Sequence, residues 1–198
     1  YCFGCHAMQY ARYERAADDL GIPHDIFSEN ILVGETKIGQ LMDISMSADQ
    51  AKIWFGSPPP DLTLSARLHG ADWVYNYLRG FYADPKRPYG VNNVIFKDVL
   101  AGLQGVCASN PELGVEPVVD PLSGNIVKSS GCAEYATEGS MTPAEYDEAI
   151  YDLVNFLQYV AEPSRIQSEA IGRNVLIFLA FLFVFAYFLN KEYWREIH

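Results

Sequence analysis

Basic side chains are scarce in this sequence: 14 Lys and Arg stand against 25 Asp and Glu in 198 residues, a formal net charge of −11. Nucleic-acid binding depends on neutralising phosphates, so this balance excludes a general nucleic-acid partner. A basic protein is a more plausible partner, although overall charge alone favours plain solubility as the reason for the acidity. Histidine and cysteine are rare too, four of each. Cys107, Cys132, His24, His69 and His198 show no compact finger-like spacing, so no zinc finger is evident. Tyr1 has no charged or apolar run before it that would serve as a signal peptide, and since the chain fits a processed or partly covered product, that absence is no evidence for cytoplasmic residence. Aromatic residues are not in short supply: Phe, Tyr and Trp recur throughout and mark apolar faces, which excludes disorder.

The densest chemistry lies at the start, in Cys2-Phe3-Gly4-Cys5-His6. Two cysteines separated by two residues and followed at once by histidine provide two thiols for the haem vinyl groups and an imidazole for its iron. Gly4 adds little bulk between the anchors. A bare Cys-x-x-Cys also suits a redox dithiol or half of a zinc site, but the adjoining His6 favours covalent haem over both. With Cys2 and Cys5 so used, Cys107 and Cys132 are left either as two buried thiols or as a disulfide across a 24-residue segment. Such a bond would contribute about 3 kcal/mol and point to an oxidising compartment.

Along the chain, helix formers from Ala7 to Leu20 predict a helix stopped by Gly21-Ile22-Pro23. Met8, Met42 and Met46 read as packing residues rather than iron ligands. Ser47 to Phe55 predicts a helix whose Trp54 and Phe55 either cover a haem or close the core. After the stiff Pro58-Pro59-Pro60 run, Asp61 is placed to cap a helix from Leu62. A second helix runs from Asp72 to a stop at Gly80, with His69 before it. Arg87 and Tyr89 sit in a turn-rich stretch where they suit haem propionates, or simply solvent. Val115 to Val119 and Ile126 to Lys128 predict a hairpin. Between Ser109 and Asp152, nine acidic residues face the single Lys128, a density able to steer a basic electron-transfer partner.

Met141 is the strongest second iron ligand. Thr142-Pro143-Ala144-Glu145 predicts a capped helix start, and the helix to Ala161 carries an apolar stripe of Tyr146, Ile150, Leu153 and Leu157. Met141 is then either a sulfur ligand beside a rigid helix entrance or a packing residue. His6 with Met141 would leave no open coordination position, which favours electron transfer over small-molecule binding. Ile171 to Leu189 predicts a membrane-spanning helix about 28 Å long. The fold class is therefore mostly α: a class I cytochrome c-like haem domain over 1–168 with a cysteine-bearing insertion, and one C-terminal transmembrane helix within 169–198.

Together these residues resemble the cytochrome c1 family of the ubiquinol-cytochrome c oxidoreductase, or cytochrome bc1 complex, of bacterial type. The resemblance spans nearly the whole chain: the Cys2 to His6 motif, Pro59-Pro60-Asp61-Leu62 with Ala66-Arg67, Met141 before the late helix, Ala161-Glu162-Pro163 and the final span. It implies one covalently attached haem c held by Cys2 and Cys5, with His6 and Met141 as axial ligands, Pro59 and Pro60 along its edge, and Arg87 and Tyr89 at its propionates. The Cys107 and Cys132 insertion is consistent with the bacterial type and a disulfide. The implied work is one-electron transfer from the Rieske iron-sulfur protein to a soluble or membrane-attached cytochrome c, beside the cytochrome b subunit and membrane lipid in a dimeric complex. The haem domain would lie in the periplasm of a bacterial inner membrane, with the C-terminus in the cytoplasm. A cytochrome subunit of a terminal oxidase or other complex, and a haem-based sensor, are the alternatives.

Overall fold

The structure is a computed structural model that describes residues 2–87, 91, 99–113, 118–119, 126–128 and 131–195. The chain divides into two compact units, Tyr1–Ala161 and Glu162–His198. The first is mostly helical with three small, open two-stranded sheets.

Residues 7–12 depart from the helix expected across Ala7 to Leu20. Strand β1 (Met8–Arg12) comes first, and helix α1 (Tyr13–Leu20) follows. Helix propensity is a weak preference that tertiary partners override, and here the partners are specific. Ala7 O accepts the Leu62 N–H at 2.9 Å, and the Gln9 N–H donates to Asp61 Oδ2 at 2.8 Å. β1 also pairs antiparallel with β2 (Leu41–Met42), placing Met8 opposite Met42. Both methionines are buried, in keeping with packing roles. α1 stops where expected, at Gly21 in the left-handed region (φ 66°), whose N–H returns to Ala17 O and Asp18 O. Helix α2 (His24–Asn30) packs Phe27 into the core.

Helix α3 (Ala48–Phe55) opens on a capping box between Ser47 and Gln50. Trp54 does not close the core; it is largely exposed. The expected helix at Leu62 begins later, as α4 (Ser65–His69), and Asp61 does not cap it. Its Oδ1 instead accepts the Thr63 N–H at 2.9 Å in a local turn. Helix α5 (Ala71–Arg79) then ends at Gly80.

Helix α6 (Ala101–Gln104) leads into β3 (Gly105–Cys107), which pairs antiparallel with β6 (Tyr135–Glu138). Strands β4 (Val118–Val119) and β5 (Ile126–Lys128) pair as the expected hairpin does, although its turn and residues 115–117 lie outside the described residues. Cys107 and Cys132 form a disulfide with Cα atoms 5.4 Å apart.

Helix α7 (Pro143–Ala161) supplies the main wall of the core. Tyr146, Ile150, Val154 and Leu157 are buried along one face, and burying a Leu or Ile side chain contributes about 1.5–3 kcal/mol. Polar ties fix its rotation. Tyr146 Oη donates to Leu78 O at 2.8 Å, and Arg79 grips Asp147 with Nε to Oδ1 at 2.6 Å and Nη2 to Oδ2 at 2.9 Å. Near the other end, Tyr159 Oη donates to Asp19 Oδ2 at 2.7 Å. Burial and then that bond push the phenol up to about 12.

The second unit holds helix α8 (Arg165–Tyr193), 29 residues long. Its stretch Gln167–Tyr193 is the one helix among the described residues long and apolar enough to cross a membrane, with none of its most apolar window buried. The helix outruns the expected Ile171 to Leu189 span because its polar flank is helical too, with Arg165 paired to Glu169 one turn on at 3.0 Å.

Candidate haem-binding and electron-transfer site

The site is built on one tight turn. The Cys5 and His6 N–H groups both donate to Cys2 O, at 3.0 and 2.9 Å, so positions 2, 5 and 6 share one face of a single helical turn. Both thiols are unpaired and half-buried. Phe3 meets Tyr13 edge to face, with ring centroids 6.2 Å apart, and so ties the turn to α1. A Cβ at Gly4 would meet no atom within 4 Å, so the turn leaves open space beside the thiols.

His6 Nδ1 lies 2.8 Å from Pro60 O. A carbonyl oxygen only accepts, so Nδ1 carries the proton and Nε2 keeps its lone pair for a metal. Among the described residues no group bonds to Nε2. The Pro60 loop is locked in place by the Leu62 and Gln9 bonds that displaced the expected helix. Asp61 anchors it as a carboxylate: burial pulls its pKa upward, but the Gln9 and Thr63 hydrogen bonds outweigh that and leave it below the usual value. Pro59 is half-buried and Pro60 exposed.

Met141 sits in the connection between β6 and α7, half-buried against the core that α7 closes. Its N–H donates to Leu103 O at 3.0 Å, and the Ser140 N–H to Gly102 O at 3.0 Å. One residue later the expected cap is present: the Thr142 N–H donates to Glu145 Oε2 at 2.8 Å and the Glu145 N–H to Thr142 Oγ1 at 3.3 Å. The Thr142 backbone bond, then its hydroxyl, holds the Glu145 carboxyl below its usual pKa.

Two glycines unassigned by sequence reasoning permit this approach. A Cβ at Gly139 would overlap Leu103 O and the Gly105 amide, and one at Gly105, itself at φ +85°, would overlap Thr137 O. Nothing local distinguishes them from the other glycines, since the crossing joins segments over thirty residues apart. Gly139→Ala is expected to lower stability by about 1–3 kcal/mol through backbone displacement beside Met141, read by denaturant unfolding.

The other expected residues fall as follows. Arg87 is exposed and lies 3.8 Å from Asp84. Tyr89 lies outside the described residues. His69 stacks on Trp73 with centroids 4.4 Å apart, and His24 Nε2 lies 2.8 Å from Asp18 Oδ1. Among the described residues no group of three or more His, Cys, Asp or Glu gathers into a metal site. The donor set at the turn, two thiols three residues apart and an imidazole aimed by a backbone carbonyl, fits a covalently held haem.

The thiol-and-imidazole turn lies on a mostly helical domain, and a helix of membrane length follows later in the chain. Residues 1–197 match the Cytochrome C1 family, and the chain belongs to it. It is 47% identical over 203 residues to cytochrome c1 of Allochromatium vinosum, covering 100% of this chain and 80% of that protein. It is 38% identical over 203 residues to a protein of Nitrosomonas europaea named ammonia monooxygenase gamma subunit, covering 100% and 79%. Cytochrome c1 of Rhodobacter capsulatus is 23% identical over 231 residues, covering 98% and 78%. Membership makes the chain an electron-transfer subunit of the cytochrome bc1 complex; the family's cofactor is haem c and its typical partners are the other subunits of that complex. The long apolar helix supports a single membrane-spanning anchor.

Proposed function

We propose that Cys2 and Cys5 hold haem c, that His6 and Met141 are its axial ligands, that Pro59 and Pro60 line its edge, and that Arg87 and Tyr89 meet its propionates. The observation that carries this reading is the 2.8 Å bond from His6 Nδ1 to Pro60 O on the thiol turn. When bound, the haem supplies a one-electron couple whose two oxidation states keep the same ligands. His6 is held in one tautomer and orientation by the Pro60 carbonyl. Met141 is held at a capped helix entrance, and its thioether favours the reduced iron.

The chain accepts an electron from the Rieske iron-sulfur protein and passes it to a soluble or membrane-attached cytochrome c, with the acidic surface raising the encounter rate for a basic acceptor. Residues 1–168 stand in the periplasm. Residues 169–198 anchor them in the bacterial inner membrane with the C-terminus in the cytoplasm, inside a dimeric complex surrounded by lipid. A second reading, an anchored cytochrome serving another electron-transfer complex, draws on the 38% identical relative from Nitrosomonas europaea.

A reduced-minus-oxidised spectrum of particles purified from native membranes in mild detergent, after adding ubiquinol, separates the two. Quinol-reducible c-type and b-type haem in the same particle is the expected result. A c-type signal without b-type haem, or one indifferent to quinol, shifts the assignment to the second reading.

A further inference from the structure

We infer that Arg79 is a positioning residue for Met141, fixing both sides of the methionine through Asp147 and Gln104. This rests on Met141 being the ligand proposed above. Arg79 is 6% exposed, and its guanidinium carbon lies 4.6 Å from the Tyr75 ring centroid. Its fork closes on both carboxylate oxygens of Asp147, six residues after Met141 in the opening turns of α7. Its backbone oxygen meanwhile accepts from Gln104 Nε2 at 3.0 Å. The neighbour of Gln104, Leu103, provides the carbonyl that takes the Met141 N–H. The Arg79 side chain thus sets the helix that follows Met141, and the backbone oxygen of the same residue, which it holds in place, steadies the segment that receives Met141.

Two energetic features argue for geometry rather than bulk stability. The pair is buried on the Arg79 side and partly exposed on the Asp147 side. Ion pairs taken out of water contribute little net stability over apolar residues of the same volume, and their best-attested use is fixing register. Gln104, 7% exposed, keeps its Oε1 without a hydrogen-bond partner among the described residues. That cost would be absent from an apolar side chain, and it is tolerated while Nε2 is aimed at Arg79 O.

The test uses the holoprotein and follows the thioether-to-iron charge-transfer band of the oxidised form while imidazole is added. Arg79→Met keeps the bulk without the charge, Asp147→Asn removes the partner's charge, and Arg79→Lys retains one donor. Arg79→Met and Asp147→Asn are expected to lose the band at about tenfold lower imidazole, the lower end of what losing a charge-assisted pair allows. Arg79→Lys is expected to fall between them and the parent. Tyr159→Phe, about 26 Å along α7 from the cap, serves as the control: it is expected to lower global stability and leave the imidazole midpoint unchanged. If Arg79→Met does not assemble, the lysine and asparagine variants decide. Midpoints equal to the parent's in those variants overturn the inference while leaving Met141 as ligand. Absence of the band from the parent protein overturns the Met141 reading, and the inference with it.

Discussion

Met141→Ala is expected to lower the reduction potential by on the order of 0.1–0.3 V, a fraction of the roughly 0.8 V that axial ligation spans. A thioether donates weakly to iron and favours its reduced state, so whatever replaces it, water or a stronger donor, shifts the balance towards the oxidised form. Truncation also removes packing, because the Met141 side chain lies against the cluster that includes Tyr146 and Ile150. Met141→Leu separates the two effects. It keeps most of the volume and has no sulfur, so it should show a similar fall in potential with a smaller loss of stability. Potentiometric titration of both variants checks this. A folded alanine variant with an unchanged ligand signature and potential would remove Met141 from the iron.

The second large effect is expected at the disulfide. Replacing Cys107 and Cys132 together with alanine should cost about 3.5 kcal/mol by the loop-closure relation, given their separation of 25 residues. The loss is not confined to the insertion. Cys107 is fully buried, pairs with Tyr135 in the β3–β6 ladder, and exchanges backbone bonds with Phe81 O and the Ala83 N–H at 3.3 and 2.8 Å. That ladder leads directly into the Gly105 and Gly139 crossing that seats Met141. Denaturant unfolding with and without reductant is the measurement. The parent protein in reductant should fall to the level of the double variant, and the double variant should be indifferent to reductant. Peptide mapping that found two thiols in the native protein would exclude the bond.

The parts of the site that were legible in the sequence are those whose physics is local. Cys2, Cys5 and His6 fall within one turn, and the Thr142 and Glu145 cap needs only residues three apart. The Tyr146, Ile150 and Leu157 stripe repeats at helical spacing. The apolar run in α8 needs no partner to be recognised, although its helical flanks were missed. What the sequence hid depends on distant partners. Residues 7–12 have the composition of a helix, yet their backbone is bonded to residues 61–63, more than fifty positions away. Arg79 and Asp147 are 68 residues apart, and neither carries a local sign of the other. Asp61 was placed at a helix start because carboxylates favour such positions, but two amides from different segments held it elsewhere.

The carbonyl of Pro60 has a consequence for how the protein tolerates change. Many ligand histidines are oriented by a carboxylate or another side chain, which one codon change deletes and which alters its charge with pH. A main-chain oxygen is present whatever residue occupies position 60. It carries no formal charge and has no proton to lose in the working range. Sequence drift can therefore reach this contact only by altering the path of the chain. The surrounding prolines, whose rings fix one backbone angle at each step, are the residues through which heredity guards it.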